Sequence, residues 1–277
     1  RVRLIVTGTG TPHPCLHRTG PSQVVEVAGE RLLFDCGEGT LHRLMRAGVQ
    51  PHQIQDLFLT HLHLDHIAGL TGFVFGSYYL TLRDDVARQR ARLQVYGPAD
   101  TEDVFASLRG AYRVDLAHRR SMGTPAEGFF DETVHRVRAG AVVERAEYRV
   151  TAAPADHGIE TYGFRVDYDG GSLVLSGDTT YAPSIVELAR GADVLVHEAH
   201  MADARPSNPI YAPVWDNIAA IHSTPEQAGR AAREASVRRL IVTHLKPDID
   251  PEQVRRRCAR EFEGEVTVAE DLMQVEW

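Results

Sequence analysis

Three histidines and an aspartate lie within six positions of the sequence, in the stretch HLHLDH. They are His61, His63, Asp65 and His66, and they directly follow the apolar run DLFLT. Imidazole nitrogens and carboxylate oxygens are donor atoms that borderline divalent metals such as zinc prefer. His61 and His63 are two residues apart, so an extended backbone points both side chains the same way, whereas a turn into a helix directs Asp65 and His66 elsewhere. The spacing favours dividing these ligands between two groups.

Three more candidate ligands follow apolar runs elsewhere in the chain. His157 comes after YRVTAAPAD, Asp178 after SLVLSG and His244 after RLIVT. Ligands gather beyond strand ends in layered α/β folds, so residues distant in sequence converge there. Seven ligands exceed the needs of one tetrahedral ion. We therefore expect two metal ions that share a bridging carboxylate.

Short β-rich runs alternate with amphipathic helical stretches along the chain. One hairpin is predicted to turn at Ala28-Gly29 and another at the DGG of residues 169–171, and TPEQAGRAAREA carries a capping box at Thr224 and Gln227. Such a mixture predicts a layered α/β fold with helices over sheet faces. The 277 residues, 43% of them apolar, are expected to form a single domain over 1–277. No apolar run is long enough to span a membrane, so no membrane partner is expected.

Composition narrows the cellular setting and the partners. A net charge of −8 argues weakly against a nucleic-acid partner. Three scattered cysteines, Cys15, Cys36 and Cys258, suit a reducing compartment rather than a disulfide framework. The opening RVRLIVTGTG lacks a leader pattern, although a leader already removed would leave the same start. We expect a cytoplasmic protein.

The HLHLDH stretch, with His157, Asp178 in SGDT and His244 in VTHLKP, resembles the HxHxDH signature and later ligands of the metallo-β-lactamase superfamily. The resemblance extends to GTGTP and DCGEG near the start, and so spans nearly the whole chain. It implies a four-layer αββα sandwich, the metallo-β-lactamase fold, with two Zn²⁺ ions at one edge. By position, His61, His63 and His157 would bind the first ion, Asp65, His66 and His244 the second, and Asp178 both.

Two positions refine what the resemblance implies. His63 stands where di-iron members carry glutamate, which favours zinc, with manganese or iron as alternatives. Asp178 stands where class B β-lactamases use cysteine, which counts against β-lactam hydrolysis. A water held between the two ions would be deprotonated to hydroxide and act as the nucleophile, and Asp65 would orient or deprotonate it.

Two further residues resemble the proton-donating pair of ribonuclease Z and its relatives. Glu198 lies in VLVHEAH and His222 in AIHSTPEQA. A histidine held by a carboxylate is a competent general acid for a poor alkoxide leaving group. The alternative is that His222 is a buried structural histidine at a helix N-terminus. His197, Asp35 and Ser176 are expected just behind the ligands.

Two departures from ribonuclease Z direct the choice of substrate. The long arm that ribonuclease Z carries between its third histidine ligand and the bridging aspartate is replaced here by a hairpin, and the last motif reads HLKPDID. Arylsulfatase-like and small-molecule phosphodiesterase members resemble the chain more closely. We expect a dinuclear hydrolase of small phosphodiesters or sulfate esters. The alternatives are a lactone, thioester or carboxylic ester hydrolase, a tRNA 3′-processing endoribonuclease without the arm, and a non-catalytic metal-binding module.

Four residues are predicted to contact a small anionic or ester substrate: Lys246, His200, Tyr211 and Trp215. Lys246 equally suits a surface salt bridge, and aromatic residues near helices, such as Tyr211 and Trp215, more often belong to the core. His200 stands where ribonuclease Z has threonine. Specificity is expected from segments 72–95, 110–140 and 201–217, and a homodimer is expected because dimers are common in the family. The remaining histidines, His13 among them, are expected on the surface or in loops.

Overall fold

The computed structural model describes residues 2–83, 92–124 and 129–277 of the chain. These residues form two seven-stranded sheets. Parts of two predicted specificity segments, residues 84–91 and 125–128, lie outside the described residues.

The first sheet has its strands in the order β14-β1-β2-β3-β4-β5-β6. β1 pairs antiparallel with β2 and β14, and β3 to β6 run parallel to one another. The predicted hairpin turns at Ala28 and Gly29, whose φ angles of 52° and 81° are those of a tight hairpin turn. The strands are β1 (Arg3–Gly8), β2 (Ser22–Val27), β3 (Glu30–Phe34), β4 (Asp56–Phe58), β5 (Gln94–Gly97), β6 (Thr133–Arg136) and β14 (Met273–Glu276).

The second sheet has the order β13-β12-β11-β10-β9-β8-β7. β10 to β13 run parallel, and the predicted hairpin at DGG joins β9 to β10. Parallel strands covered on both faces require continuous apolar runs, which explains sequences such as VLVHE and RLIVT. The strands are β7 (Gly140–Glu144), β8 (Tyr148–Pro154), β9 (Tyr162–Tyr168), β10 (Gly171–Leu175), β11 (Val194–Glu198), β12 (Arg239–Thr243) and β13 (Glu265–Val268).

Helices cover the outer face of each sheet. Against the first sheet pack α1 (Thr40–Arg46), α3 (Leu70–Arg83), α4 (Thr101–Ala111) and α5 (Arg113–Ser121), and against the second pack α6 (Pro183–Leu188), α8 (Pro225–Ala235) and α9 (Pro251–Cys258). Two further helices, α2 (Leu64–Ile67) and α7 (Ala212–Ala219), lie in connections. The predicted capping box begins α8, because Thr224 and Gln227 exchange side-chain and backbone hydrogen bonds.

Alternation along the strands separates three apolar layers. In β1, Leu4 and Val6 face the second sheet, whereas Ile5 faces the helices of the first. The layer between the sheets contains residues from both, such as Phe34 and Phe164. The predicted four-layer αββα sandwich is therefore confirmed.

Aromatic rings fill the centre of the layer between the sheets. The ring of Phe58 stacks on those of Phe34 and Tyr96 with centroid separations of 4.8 and 4.7 Å, which links β3, β4 and β5. Phe164 of β9 packs its ring edge-on against Phe58 at 5.5 Å. Such pairs add to the free energy of area burial. The aromatic cluster thus anchors the three-residue strand β4 immediately before the HLHLDH stretch.

Within the described residues, no helix combines the length and the apolar character needed to cross a membrane.

We expect Phe58→Ala to lower the free energy of unfolding by about 3–5 kcal/mol, since it removes a fully buried ring between both sheets. Chemical denaturation followed by circular dichroism measures this change. Phe75→Ala is the matched control, because the Phe75 side chain is 39% exposed on α3 and should lose much less. Equal losses in the two variants would contradict a central role for the aromatic cluster.

Candidate active site

The chain leaves β4 in an extended conformation and begins α2 only at Leu64. This extended segment brings His61 Nε2 to 3.1 Å from His63 Nδ1. His157 follows β8 of the other sheet, and its Nε2 lies 3.0 Å from the same His63 atom. Three ring nitrogens from two sheets therefore converge, as the spacing predicts.

A second group lies beside the first. Asp65 and His66 belong to α2, and His244 follows β12. Asp65 Oδ2 lies 3.3 Å from His244 Nε2 and 3.7 Å from His66 Nε2. His244 has a φ of 57°, a left-handed conformation that costs free energy for a residue other than glycine and often occurs at functional positions.

Asp178, in the loop after β10, lies between the two groups. Its Oδ2 is 3.2 Å from His66 Nε2 and 3.5 Å from His244 Nε2. The same oxygen is 3.7 Å from His157 Nε2 and 3.8 Å from His61 Nε2. The structure thus brings all seven predicted ligands together, with Asp178 between the two groups.

These residues fit divalent cations. The Nε2 atom of His66 is enclosed and has no hydrogen-bond partner among the described residues. Burial alone would lower the pKa of His66, but the carboxylates of Asp178 and Asp35 raise it well above its usual value. For the carboxyl group of Asp178, burial would raise the pKa, yet His244 and His66 hold it well below its usual range. The centre therefore concentrates buried negative charge and nitrogen lone pairs, which divalent cations balance.

In four of the histidine rings, the Nδ1 atom contacts an atom of a supporting residue. Such contacts fix the tautomer and the orientation of a metal-binding imidazole. Three of the partners are oxygen atoms and one is a nitrogen. The pairs are His61 Nδ1 with Thr60 Oγ1 at 2.9 Å, His66 Nδ1 with Asp35 Oδ2 at 2.7 Å, His157 Nδ1 with the Ile221 carbonyl at 2.8 Å, and His244 Nδ1 with His200 Nδ1 at 3.4 Å.

Asp35, predicted to lie behind the ligands, supports two of these contacts. Its Oδ1 accepts the backbone N–H of Thr60 at 2.8 Å, while its Oδ2 accepts from His66. In the same DCGEG motif, a Cβ on Gly37 would overlap the backbone carbonyl of Asp65, so only glycine allows this loop to approach the ligand helix. Ser176 and His197 contact the Glu198 backbone instead of a ligand ring.

Glu198 and His222 form a buried pair next to the ligands. His222 Nδ1 donates to Glu198 Oε1 at 2.7 Å and lies 4.0 Å from Asp178 Oδ2. The backbone N–H groups of Thr179 and His200 hold the Glu198 carboxylate in place. Burial would lower the pKa of His222, but the Glu198 carboxylate raises it. His222 is therefore equipped to hold a proton.

A cavity of about 670 Å³ opens over both groups. Asp65, Asp178, His200, His222 and His244 contribute to its wall. Four of the seven predicted ligands, the histidine held by Glu198 and one predicted substrate residue thus border the same space.

The other three predicted substrate residues do not reach this cavity wall. Lys246 forms an ion pair with Asp203 at 2.7 Å. Tyr211 is 62% exposed, just before α7, and Trp215 is half-buried within that helix. Any role for these three in substrate binding stays a prediction.

The loop between β1 and β2 supplies wall residues that sequence reasoning missed. His13, Cys15 and Arg18 belong to it, and Ile218 and Ile221 close another side. The part of the cavity wall that the structure describes contains no residue of the predicted specificity segments 72–95, 110–140 and 201–217. This loop begins with GTGTP at the end of β1. Its place beyond a strand end is the sequence feature that could have predicted a part in the cavity wall.

Comparison with known proteins supports the family resemblance. Residues 30–245 match the family model described as Beta-lactamase superfamily domain. Ribonuclease Z from Mycobacterium marinum is 35% identical over 280 residues, which cover 99% of this chain and 98% of that protein.

Solved structures agree with this result. The short form of human tRNase Z superposes with a TM-score of 0.73 at 26% identity and covers 99% of this chain and 98% of its own. The metallo-β-lactamase fold protein YhfI from Bacillus subtilis superposes with a TM-score of 0.79 at 21% identity, covering 100% and 99%. The chain therefore belongs to the metallo-β-lactamase superfamily, in its ribonuclease Z-like branch, and is a metal-dependent hydrolase of ester bonds.

Proposed function

We propose that the protein is a ribonuclease Z-type endoribonuclease, which hydrolyses a phosphodiester bond at the 3′ side of tRNA precursors. The observation that carries the proposal is the buried contact between His222 and Glu198 at the wall of the cavity that contains Asp178. An RNA phosphodiester has a poor alkoxide leaving group, and this pair is suited to protonate it. The identity to Ribonuclease Z along nearly the whole chain supports the same substrate class.

The seven ligands would hold two metal ions, for which we propose zinc: His61, His63 and His157 on one, Asp65, His66 and His244 on the other, with Asp178 shared. The ions would supply Lewis acidity for the attacking water and positive charge beside the phosphoryl oxygens.

Each remaining role falls to a residue of the chain. Asp65 lies on the cavity wall and accepts a proton from the attacking water. The water oxygen bonds to phosphorus as the bond from phosphorus to the leaving oxygen breaks. His222 gives its proton to that leaving oxygen, and Glu198 holds the ring through Nδ1 so that Nε2 is the acid.

The missing arm does not separate this chain from the relatives named Ribonuclease Z. The alignment covers 99% of this chain and 98% of the Mycobacterium marinum protein, which leaves no room for a long insertion in either. The short β9–β10 hairpin is therefore compatible with the proposed substrate.

Small phosphodiesters or sulfate esters are the second candidate. The cavity wall includes the apolar residues Pro12, Leu64, Ile218 and Ile221, and the net charge of the chain is −8. Apolar side chains around a cavity favour a compact ester over a polyanion. Expectations of a homodimer and of a cytoplasmic location stay predictions.

A substrate panel tests these proposals. Zinc-loaded protein is assayed on a tRNA precursor with a 3′ trailer, bis-p-nitrophenyl phosphate, p-nitrophenyl sulfate and a lactone. We expect a single cut in the precursor. Cleavage of only the small phosphate or sulfate esters would establish the second candidate, and cleavage of only the lactone would overturn both.

His222→Ala should slow cleavage of the tRNA precursor roughly 10²- to 10⁴-fold, because the leaving oxygen loses its proton donor. Hydrolysis of bis-p-nitrophenyl phosphate should fall much less, since p-nitrophenolate leaves without a proton. His118→Ala, at an exposed position of α5, is the matched control and should retain both activities. Equal losses on the two substrates would refute the assignment of His222 as the acid.

Asp178→Asn should bind fewer than the two metal ions per chain expected for the native protein, because the substitution weakens the ligand shared by both groups. Elemental analysis after exhaustive dialysis gives the count and the identity of the metal. Asp115→Asn, at an ion pair with Arg119 on the surface of α5, should retain both ions. Two ions retained by Asp178→Asn would contradict the shared site, and iron in the native protein would overturn the choice of zinc.

A further inference from the structure

Among the described residues of the cavity wall, His200 is a histidine with no assigned part in the proposed reaction. Its ring contacts the ring of the predicted ligand His244. It begins a short 3-10 helix, His200–Ala202, directly after β11. Its side chain is 4% exposed. Two contacts fix its position: its backbone N–H donates to Glu198 Oε2 at 2.8 Å, and its ring stacks on the ring of His222 with a centroid separation of 4.3 Å.

The contact between His200 and His244 determines where the hydrogen atoms lie once a cation is bound. His244 directs Nε2 toward Asp65 and Asp178. With a cation held among these ligands as proposed, Nε2 would supply the lone pair of that ring, and its hydrogen would lie on Nδ1. The Nδ1 atoms of His244 and His200 are 3.4 Å apart. Because one of them must accept, His200 Nδ1 is the acceptor, and its own hydrogen lies on Nε2.

The Nε2–H group of His200 is a hydrogen-bond donor without a partner in the residues that the structure describes. Its Nε2 atom is not fully enclosed, although the ring is almost entirely buried and forms part of the cavity wall. The open side of this ring is therefore the cavity. A neutral N–H donor there suits an anionic oxygen.

We propose that His200 has two functions, one for each ring nitrogen: Nδ1 positions the ligand His244, and Nε2–H donates to an anionic oxygen of the substrate. The first function rests on the proposed metal site, because His244 Nε2 supplies a lone pair only to a bound cation. The second rests on the proposed function. A phosphodiester has two non-bridging oxygens: one would face the cluster around Asp178, and the other would accept from His200.

This arrangement differs from that of the other three supported ligands. His61, His66 and His157 donate to oxygen atoms, which accept whatever the state of the substrate. Only His244 relies on a ring that also borders the cavity. Substrate binding at His200 and orientation of the His244 ligand are thereby combined in one side chain.

Three substitutions separate the two nitrogens. His200→Asn places an amide oxygen near the Nδ1 position and removes the Nε2 donor. His200→Gln places an amide near the Nε2 position and removes the Nδ1 acceptor. His200→Phe retains a ring to stack on His222 and removes both. His118→Asn on the exposed face of α5 is the control.

The first measurement is zinc affinity, by chelator competition with elemental analysis of what remains bound. We expect His200→Gln and His200→Phe to release one of two zinc ions roughly 10- to 100-fold more readily, with His200→Asn and His118→Asn like the native protein. Native zinc affinity in all variants would overturn the positioning function. So would an equal loss in His200→Asn and His200→Phe.

The second measurement is hydrolysis of the tRNA precursor with saturating zinc. His200→Asn should lose roughly 10-fold or more in kcat/KM, the cost of one hydrogen bond to a charged group, while His200→Gln loses less. Unchanged kinetics in His200→Asn would overturn the substrate contact. The zinc measurement needs no substrate, so an inactive native protein would refute the proposed function while the positioning function is still decided. If His200→Phe fails to fold, the Asn and Gln variants decide both.

Discussion

One buried carboxylate oxygen sets the main constraint on this molecule. Asp178 Oδ2 lies 3.2 to 3.8 Å from imidazole nitrogens that come from both sheets. A buried charge is costly unless groups of opposite charge or hydrogen-bond donors surround it. The strand ends of the two sheets must therefore stay close enough for these side chains to meet at Asp178, and much of the fold can be understood as the means of keeping them there.

The edge of the sandwich is held together by backbone contacts as well as by the ligands. Tyr162 N–H at the start of β9 donates to the Thr60 carbonyl at 2.9 Å and so joins the second sheet to the segment after β4. Leu245 N–H, beside a ligand, donates to the Thr9 carbonyl at 2.9 Å and joins the end of β12 to the end of β1. With the aromatic cluster around Phe58 beneath, these contacts fix the strand ends from which the ligand loops leave, as a precise site requires.

The ligands could be predicted from the sequence because each one follows a strand whose apolar run is legible, and parallel strands deliver their ends to one edge. The hairpin turn at Ala28 and the capping box at Thr224 could also be predicted, because each depends only on residues nearby in the sequence. The cavity wall could not be predicted in this way. His13 and Arg18 reach it through a loop whose course depends on distant partners, such as the Ala269 carbonyl that accepts from Arg18. The same reason applies to Lys246, since only the folded chain brings Asp203 to it.

The opposite roles that we propose for two neighbouring histidines follow from the different partners of their Nδ1 atoms. The rings of His157 and His222 lie 4.6 Å apart, and both are buried. Burial lowers the pKa of His157, whose Nδ1 meets only a neutral backbone carbonyl, and so its Nε2 lone pair stays free for a cation. Burial acts on His222 in the same direction, but the charge of Glu198 outweighs it, and the pKa rises. In the proposed reaction, a carboxylate in place of a carbonyl thus distinguishes the acid His222 from the metal ligand His157, and one small volume would provide both the lone pairs and the proton for hydrolysis of an ester.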